Sequence, residues 1–320
     1  VLEHHMLWSI DSIPNQKDKT VLVTGANSGL GFQTALALLS KGARVILGCR
    51  SIENAERARQ ELLSKVSHGN IEVLEIDLAD LEKVNKASDQ VIAKYQSINL
   101  LINNAGVMAP PQTYTKQGLE LQFAVNHLSH MALTLKMLPL LSKQSGGRVV
   151  TVSSGAQYMG KINWDDLQGE RNYNRWASYS QSKLANVMFA LQLSKKLKES
   201  NVDIASLSAH PGLARTNLQP QSVMANGSWQ EDIAYKLMNP MFQSARMGSL
   251  PQLRAATDLK AKSGEQYGPQ FNFRGYPVLC RVAPPALNSA QREQLWEMSE
   301  NLIGDFINIP RSKEFLKKKK

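Results

Sequence analysis

Short, continuous apolar runs alternate with longer stretches of helical spacing through the first two thirds of the chain. Residues 20–24 form a β-branched run, and residues 30–39 then carry apolar positions at helical spacing until Gly42 stops them. Residues 44–48 predict a second strand, 52–66 a charged amphipathic helix, and 71–76 a third strand running into Asp77. The rhythm continues as helix 81–95, strand 99–102, a long helix 118–141, strand 148–152, helix 177–198 and strand 203–208. Strands without polar alternation are buried on both faces, which implies a parallel sheet covered by helices on each side. Right-handed crossovers wind such a sheet doubly, so the expected class is α/β with a doubly wound parallel sheet in a single domain over residues 17–310. Two stretches, 155–176 and 213–247, break the rhythm after the carboxyl ends of predicted strands. Open sheets bind ligands there, so both are read as substrate-binding insertions. Residues 266–273 are expected to add an edge strand, and 289–302 a last amphipathic helix.

Composition changes this picture little. The chain has 320 residues, 42% hydrophobic and 20% charged, as in ordinary globular proteins. Four of its +10 net charges are Lys317, Lys318, Lys319 and Lys320. Residues 311–320 therefore read as a solvated basic tail, with weak membrane-surface association as the alternative. The remaining charge suits an anionic cofactor, and no nucleic-acid motif accompanies it. Residues 1–16 read as an N-terminal extension whose His4-His5-Met6 resembles an expression-tag remnant. Cys49 and Cys280 are the only cysteines, which suits a reducing, cytoplasmic compartment. No run of about 18 apolar residues occurs, so no transmembrane segment is expected.

Chemistry enters at Thr24-Gly25-Ala26-Asn27-Ser28-Gly29-Leu30-Gly31, between a strand and a helix. Glycines there let the backbone approach a pyrophosphate, and the helix start offers free N–H groups to its charge. The spacing is G-x-x-x-G-x-G, and its place in a βαβ unit gives the sheet a Rossmann-type nucleotide site. The second strand ends in Gly48-Cys49-Arg50, with a guanidinium where a carboxylate would select NAD(H). NADP(H) is therefore expected over NAD(H). Asp77, followed by Leu78, can accept from an adenine amino group or serve as a cap. Asn103-Asn104-Ala105-Gly106 can face the adenine ribose or simply form a turn.

Tyr179 and Lys183 stand at i and i+4 on a predicted helix, so an ammonium can sit under a phenol and make its proton easier to lose. Taken together, Thr24 to Gly31, Asp77, Asn103 to Gly106, Asn126, Ser154, Tyr179 with Lys183 and Pro211-Gly212 resemble the short-chain dehydrogenase/reductase family in order and spacing. Asn163-Trp164-Asp165-Asp166-Leu167 and the residues around Ser154 and Tyr179 resemble its retinol dehydrogenase branch. That resemblance implies NADP(H) and lipophilic aldehydes, ketones or alcohols such as retinoids, although membrane-bound members carry an N-terminal anchor helix not found here. It also implies a catalytic set of Asn126, Ser154, Tyr179 and Lys183, with Ser154 preferred over Ser153. Lys183 would also bind the nicotinamide ribose, Asn126 would bend the long helix or hold a water, Pro211 and Gly212 would shape the nicotinamide pocket, and Thr216 would hold the carboxamide.

Other readings stay open. Related protochlorophyllide oxidoreductases call for a cysteine near the substrate, whereas Cys49 falls at the adenosine end and Cys280 lies far downstream. A non-catalytic NADP(H)-binding sensor or scaffold is a further alternative. His127 and His130 share a helix face but lack a third ligand, so no metal is expected. Trp164, Trp176, Met224, Trp229, Met238, Met241, Phe242 and Met247 suit a flexible apolar substrate or ordinary packing. Helices 118–141 and 177–198 are the surfaces through which the resemblance implies a dimer or tetramer.

Overall fold

In the computed structural model, residues 7–214, 242–304 and 306–307 are described. Thr216, Met224, Trp229, Met238, Met241, the basic tail and His4-His5-Met6 lie outside the described residues. The strands are β1 (Thr20–Thr24), β2 (Arg44–Cys49), β3 (Asn70–Glu75), β4 (Leu100–Asn103), β5 (Gly147–Val152), β6 (Ile204–Ala209), β7 (Gln266–Pro269) and β8 (Pro277–Leu279). They form one sheet in the order β3-β2-β1-β4-β5-β6-β7-β8, parallel except for the β7–β8 pair. The chain winds outward from β1 to β3 and then returns to β4 on the other side of β1. The resulting switch point lies between the carboxyl ends of β1 and β4.

Helices α1 (Gly29–Ser40) and α2 (Ile52–Lys65) cover one face of the sheet, and α3 (Leu81–Lys94) the other. On that second face the turn Leu121–Phe123, a π-helical turn Ala124–Leu128 and the helix Ser129–Leu141 run continuously as α4, residues 121–141. Helix α5 (Arg175–Glu199) lies beside it, α6 (Ala245–Thr257) returns to the first face, and α7 (Ser289–Gly304) closes the second. Strand side chains explain the two apolar layers. Leu22, Ile46 and Leu101 point into one, while Val21, Val23, Val45, Leu47 and Ile102 point into the other. Both faces are buried, which is why the strands read as continuous apolar runs.

Four expectations need correction. The long helix starts at Leu121 and not near residue 118, because Gly118 takes a left-handed turn and the Glu120 carboxylate caps the helix by accepting from the N–H groups of Gln122 and Phe123. Helix α5 starts at Arg175, capped by the Asn174 side chain, so Trp176 belongs to the helix and not to the preceding insertion. The stretch predicted irregular to 247 ends in α6, whose Gly248 and Pro251 mask helical periodicity. Finally, β7 stops at Pro269 and is no edge strand, because β8 pairs with it.

Helix α7 crosses both long helices. Trp296 stacks on Phe189 at 5.7 Å, and Ser299 Oγ lies 2.9 Å from His127 Nε2. The chain itself thus covers part of the surface expected to pair subunits. No helix among the described residues is long and apolar enough to cross a membrane.

Candidate active site

Backbone geometry at the end of β1 dictates glycine. Gly25 has φ +65°, and a Cβ on Gly31 would stand 2.2 Å from the Gly25 carbonyl oxygen. Ser28 N-caps α1 without a side-chain hydrogen bond, so the first-turn N–H groups keep their capacity for an anion. Between this loop and the ends of β2, β3 and β4 lies a cleft of about 320 Å³. Gly25, Asn27, Ser28, Gly29, Leu30, Gly31, Arg50, Asp77, Leu78, Asn104, Ala105 and Gly106 all line it.

Several wall residues are held by contacts that sequence spacing does not reveal. Thr24 Oγ1 accepts from the Asn104 and Ala105 N–H groups at 2.9 and 3.0 Å, and Asn104 Nδ2 donates to Thr24 O at 2.8 Å. Gln252, absent from the expected set, donates to Asn104 Oδ1 at 3.1 Å across 148 positions of sequence. Asp77 Oδ1 accepts from the Ala79 N–H at 3.0 Å, while Asp80 caps α3, so Asp77 is a turn acceptor and not the cap. Leu78 O accepts from Ser129 Oγ at 2.6 Å, pinning that wall to α4. Cys49 lines the cleft, and burial pushes its thiol up to about 11, with the Ala26 and Asn27 backbone opposing the rise. Arg50 is exposed at the mouth and forms no salt bridge among the described residues.

The four residues of the expected catalytic set converge beyond Gly106. Asn126 sits in the π turn, where Oδ1 accepts from Val107 N at 2.8 Å and Nδ2 donates to Val107 O and Ser182 Oγ at 3.0 and 2.9 Å. A Cβ on Gly106 would crowd both Asn126 Oδ1, at 3.0 Å, and Lys183 Nζ, at 3.2 Å. The Ser154 side chain acts on the Tyr179 hydroxyl, favouring its ionised form. Ser153 and Ser154 separate cleanly: Ser153 Oγ is buried and donates to Lys183 O at 2.7 Å, whereas Ser154 is partly open and also accepts from Ala156 N at 3.2 Å.

Burial raises the Tyr179 phenol above its ordinary value of 10, and the Ser154 side chain opposes it only in part. The Lys183 ammonium lies over the ring, 5.7 Å from the centroid. Burial also lowers Lys183 from 10.5 to about 8. A buried neutral phenol beside a buried amine is equipped to give a proton to a neighbouring oxygen.

Pro211 and Gly212 follow β6 and do not line the cleft proper. Gly212 has φ +65°, and a Cβ there would lie 2.5 Å from the Phe273 carbonyl oxygen. Gly248 of α6 packs against both Leu30 and Pro211, which brings this loop to the glycine loop. Cys280, far downstream in sequence, accepts from Gln266 Nε2 at 3.5 Å next to Arg281, whose carbonyl accepts from the Tyr158 hydroxyl at 2.7 Å. His127 and His130 are buried, and burial lowers them to about 3 and about 4. Among the described residues no group of three or more His, Cys, Asp or Glu side chains could hold a metal.

Comparison with known proteins agrees with this architecture. The family described as short chain dehydrogenase matches residues 19–226. Human retinol dehydrogenase 12 is 35% identical over 291 residues, covering 89% of this chain and 86% of the relative. Mouse retinol dehydrogenase 14 is 37% identical over 302 residues with the same coverage. A crystal structure of an uncharacterised protein from Mycobacterium paratuberculosis is 35% identical, with TM-score 0.78, covering 95% of this chain and 99% of that one. A short chain dehydrogenase from Shigella flexneri, complexed with NADP, shares the fold at TM-score 0.60 and 20% identity, covering 79% of this chain and 98% of that one. With its glycine loop, switch-point cleft and relatives all in accord, the chain belongs to the short-chain dehydrogenase family of nicotinamide-dependent oxidoreductases and is similar to the retinol dehydrogenases.

Proposed function

We propose that this protein is an NADP(H)-dependent oxidoreductase acting on lipophilic aldehydes or ketones and the corresponding alcohols. The observation that carries the reading is the buried Lys183, whose ammonium lies over the Tyr179 ring and stands with Asn126 Oδ1 against Gly106, with the Ser154 side chain acting on the same phenol. The cofactor fits the cleft because Gly25 and Gly31 leave no room for a Cβ and the start of α1 keeps uncapped N–H groups. Asn27, Ser28, Gly29 and Leu30 would seat the pyrophosphate, Asp77 and Leu78 the adenine, Asn104, Ala105 and Gly106 the ribose, and Pro211 and Gly212 the nicotinamide. Thr216 joins them on sequence grounds alone. Arg50, exposed at the mouth, favours a 2′-phosphate.

The bound cofactor supplies or takes the hydride. Ser154 donates to the carbonyl oxygen and strengthens that bond as negative charge develops. Tyr179, held as a neutral phenol, gives its proton to the same oxygen in reduction and recovers it in oxidation. Lys183 steadies the phenolate left behind, and Asn126 keeps the Val107 backbone and Ser182 in register with it. Exposed Trp176, its ring 6.5 Å from that of Tyr179, offers an apolar wall to the substrate. The two free cysteines suit a cytoplasmic enzyme.

The test is consumption of NADPH and NADH in parallel across an aldehyde and ketone panel. Retinal comes first, because relatives bear the name retinol dehydrogenase. Tyr179→Phe should lower turnover by about a hundredfold or more while cofactor still binds. Near-parental turnover in a folded variant would refute the role.

A further inference from the structure

His130 is a buried polar group that the proposed chemistry leaves without a task. Its Nδ1 lies 3.1 Å from the main-chain oxygen of Asn126, and its Nε2 lies 2.9 Å from Thr24 Oγ1. A carbonyl oxygen only accepts, so Nδ1 carries the proton. The ring is almost fully buried, and burial lowers its pKa to about 4, so it is neutral and Nε2 keeps its lone pair. Thr24 must then donate its hydroxyl proton to Nε2. The other candidate acceptor, Ile102 O, is more distant at 3.4 Å. Both lone pairs of Thr24 Oγ1 are thereby left for the N–H groups of Asn104 and Ala105, and both accept.

Every donor and acceptor in this chain of bonds is used, and all run in one direction. They lead from Asn104 and Ala105 on the cleft wall, through the threonine that opens the glycine loop, to the π turn that presents Asn126. Hydrogen bonds in series at low dielectric strengthen one another. A π turn is a local departure from α-helical hydrogen bonding, and here it carries Asn126, whose contacts outside the turn fix its orientation. The Asn126 side chain already grips Val107 and Ser182, and the imidazole holds its carbonyl from the opposite side.

We propose that His130 is a positioning residue that ties the cofactor-binding wall at Asn104–Ala105 to the Asn126 turn beside Lys183, so that cofactor seat and proton-transfer site keep one register. The proposal rests on the oxidoreductase reading of that site. His130→Leu removes both bonds. His130→Gln restores one donor and one acceptor on a planar amide.

The measurements are melting temperature, NADPH dissociation constant by fluorescence titration, and kcat with the best carbonyl substrate. His130→Leu should weaken NADPH binding and lower kcat, each by about tenfold, the scale of a buried hydrogen bond lost with its partner left unpaired. His130→Gln should recover most of both losses. Thr24→Val should reproduce the His130→Leu losses, and the double variant should add little to Thr24→Val alone, because the two residues act through one chain. A lower melting temperature with binding and kcat unchanged would overturn the proposal, as would additive losses in the double variant. If no carbonyl substrate is found, the oxidoreductase reading fails separately, while the NADPH titrations still decide whether His130 orders the cofactor wall.

Discussion

Replacing Lys183 by methionine should make the cofactor-free protein more stable while removing its activity. Lys183 is 4% exposed, and no carboxylate pairs with it among the described residues. Burial alone lowers its pKa from 10.5 to about 8. At about 1.4 kcal/mol per unit, keeping the ammonium charged in the fold costs on the order of 3 kcal/mol. The sign follows from the two titrations. Below pH 8 the folded and unfolded states both hold the proton, and the full cost applies. Between about 8 and 10.5 the folded amine is neutral while the unfolded one still binds a proton, so native stability rises with pH. Above 10.5 neither state holds the proton and the cost is gone. Methionine keeps the length of the side chain without the charge, so Lys183→Met should gain roughly 5 °C in melting temperature at pH 7. That gain should fade as pH approaches 10.5. Thermal melts of the cofactor-free protein at pH 7 and pH 10, with urea titrations alongside, measure it. A variant less stable than the parent at pH 7, or equally stabilised at both pH values, would refute the argument. Retained turnover would refute the assignment of Lys183 to the chemistry.

Three further outcomes follow from the same geometry. Ser154→Ala should lower kcat by about a hundredfold with a nearly unchanged melt, the scale of a lost oxyanion donor. Ser153→Ala should instead cost about 1 kcal/mol of stability, because it loses the bond to Lys183 O, and should spare kcat; kinetics and melts of the pair distinguish the two serines. Gly31→Ala drives a Cβ against the Gly25 carbonyl oxygen and Asn104 Nδ2, so NADPH affinity should fall by about tenfold or more in titration. Arg50→Glu should reduce the ratio of kcat/KM for NADPH over NADH by about tenfold or more, and an unchanged ratio would mean that Arg50 does not meet the 2′-phosphate.

The parts of the site that sequence conveyed best are those carried by short-range spacing. Gly25, Gly29 and Gly31 occupy one turn, and Tyr179 and Lys183 stand one helical turn apart, so their relations survive without knowledge of the sheet. Gln252 and His130 went unassigned because each reaches its partner across the fold, Gln252 to Asn104 and His130 to Thr24. Helix α6 was hidden for a local reason, since Gly248 and Pro251 interrupt its pattern. Tertiary contact explains both residues: a Cβ on Gly248 would stand 2.4 Å from that of Ala214, and Pro251 is buried within the helix.

Sequence by itself determined the element rhythm, the parallel sheet, the glycine loop between β1 and α1, and the placing of Tyr179 and Lys183 one helical turn apart. Hydrophobic periodicity and glycine geometry are local properties of the chain. Only the tertiary structure shows what holds each serine, Ser153 Oγ donating to Lys183 O while Ser154 Oγ accepts from Ala156 N. It also decided how burial acts on the pair, raising Tyr179 and lowering Lys183, because desolvation depends on everything packed around them. It also supplied the π turn and the imidazole that hold Asn126 against Gly106, an arrangement that exists only once α4, β1 and β4 are packed together.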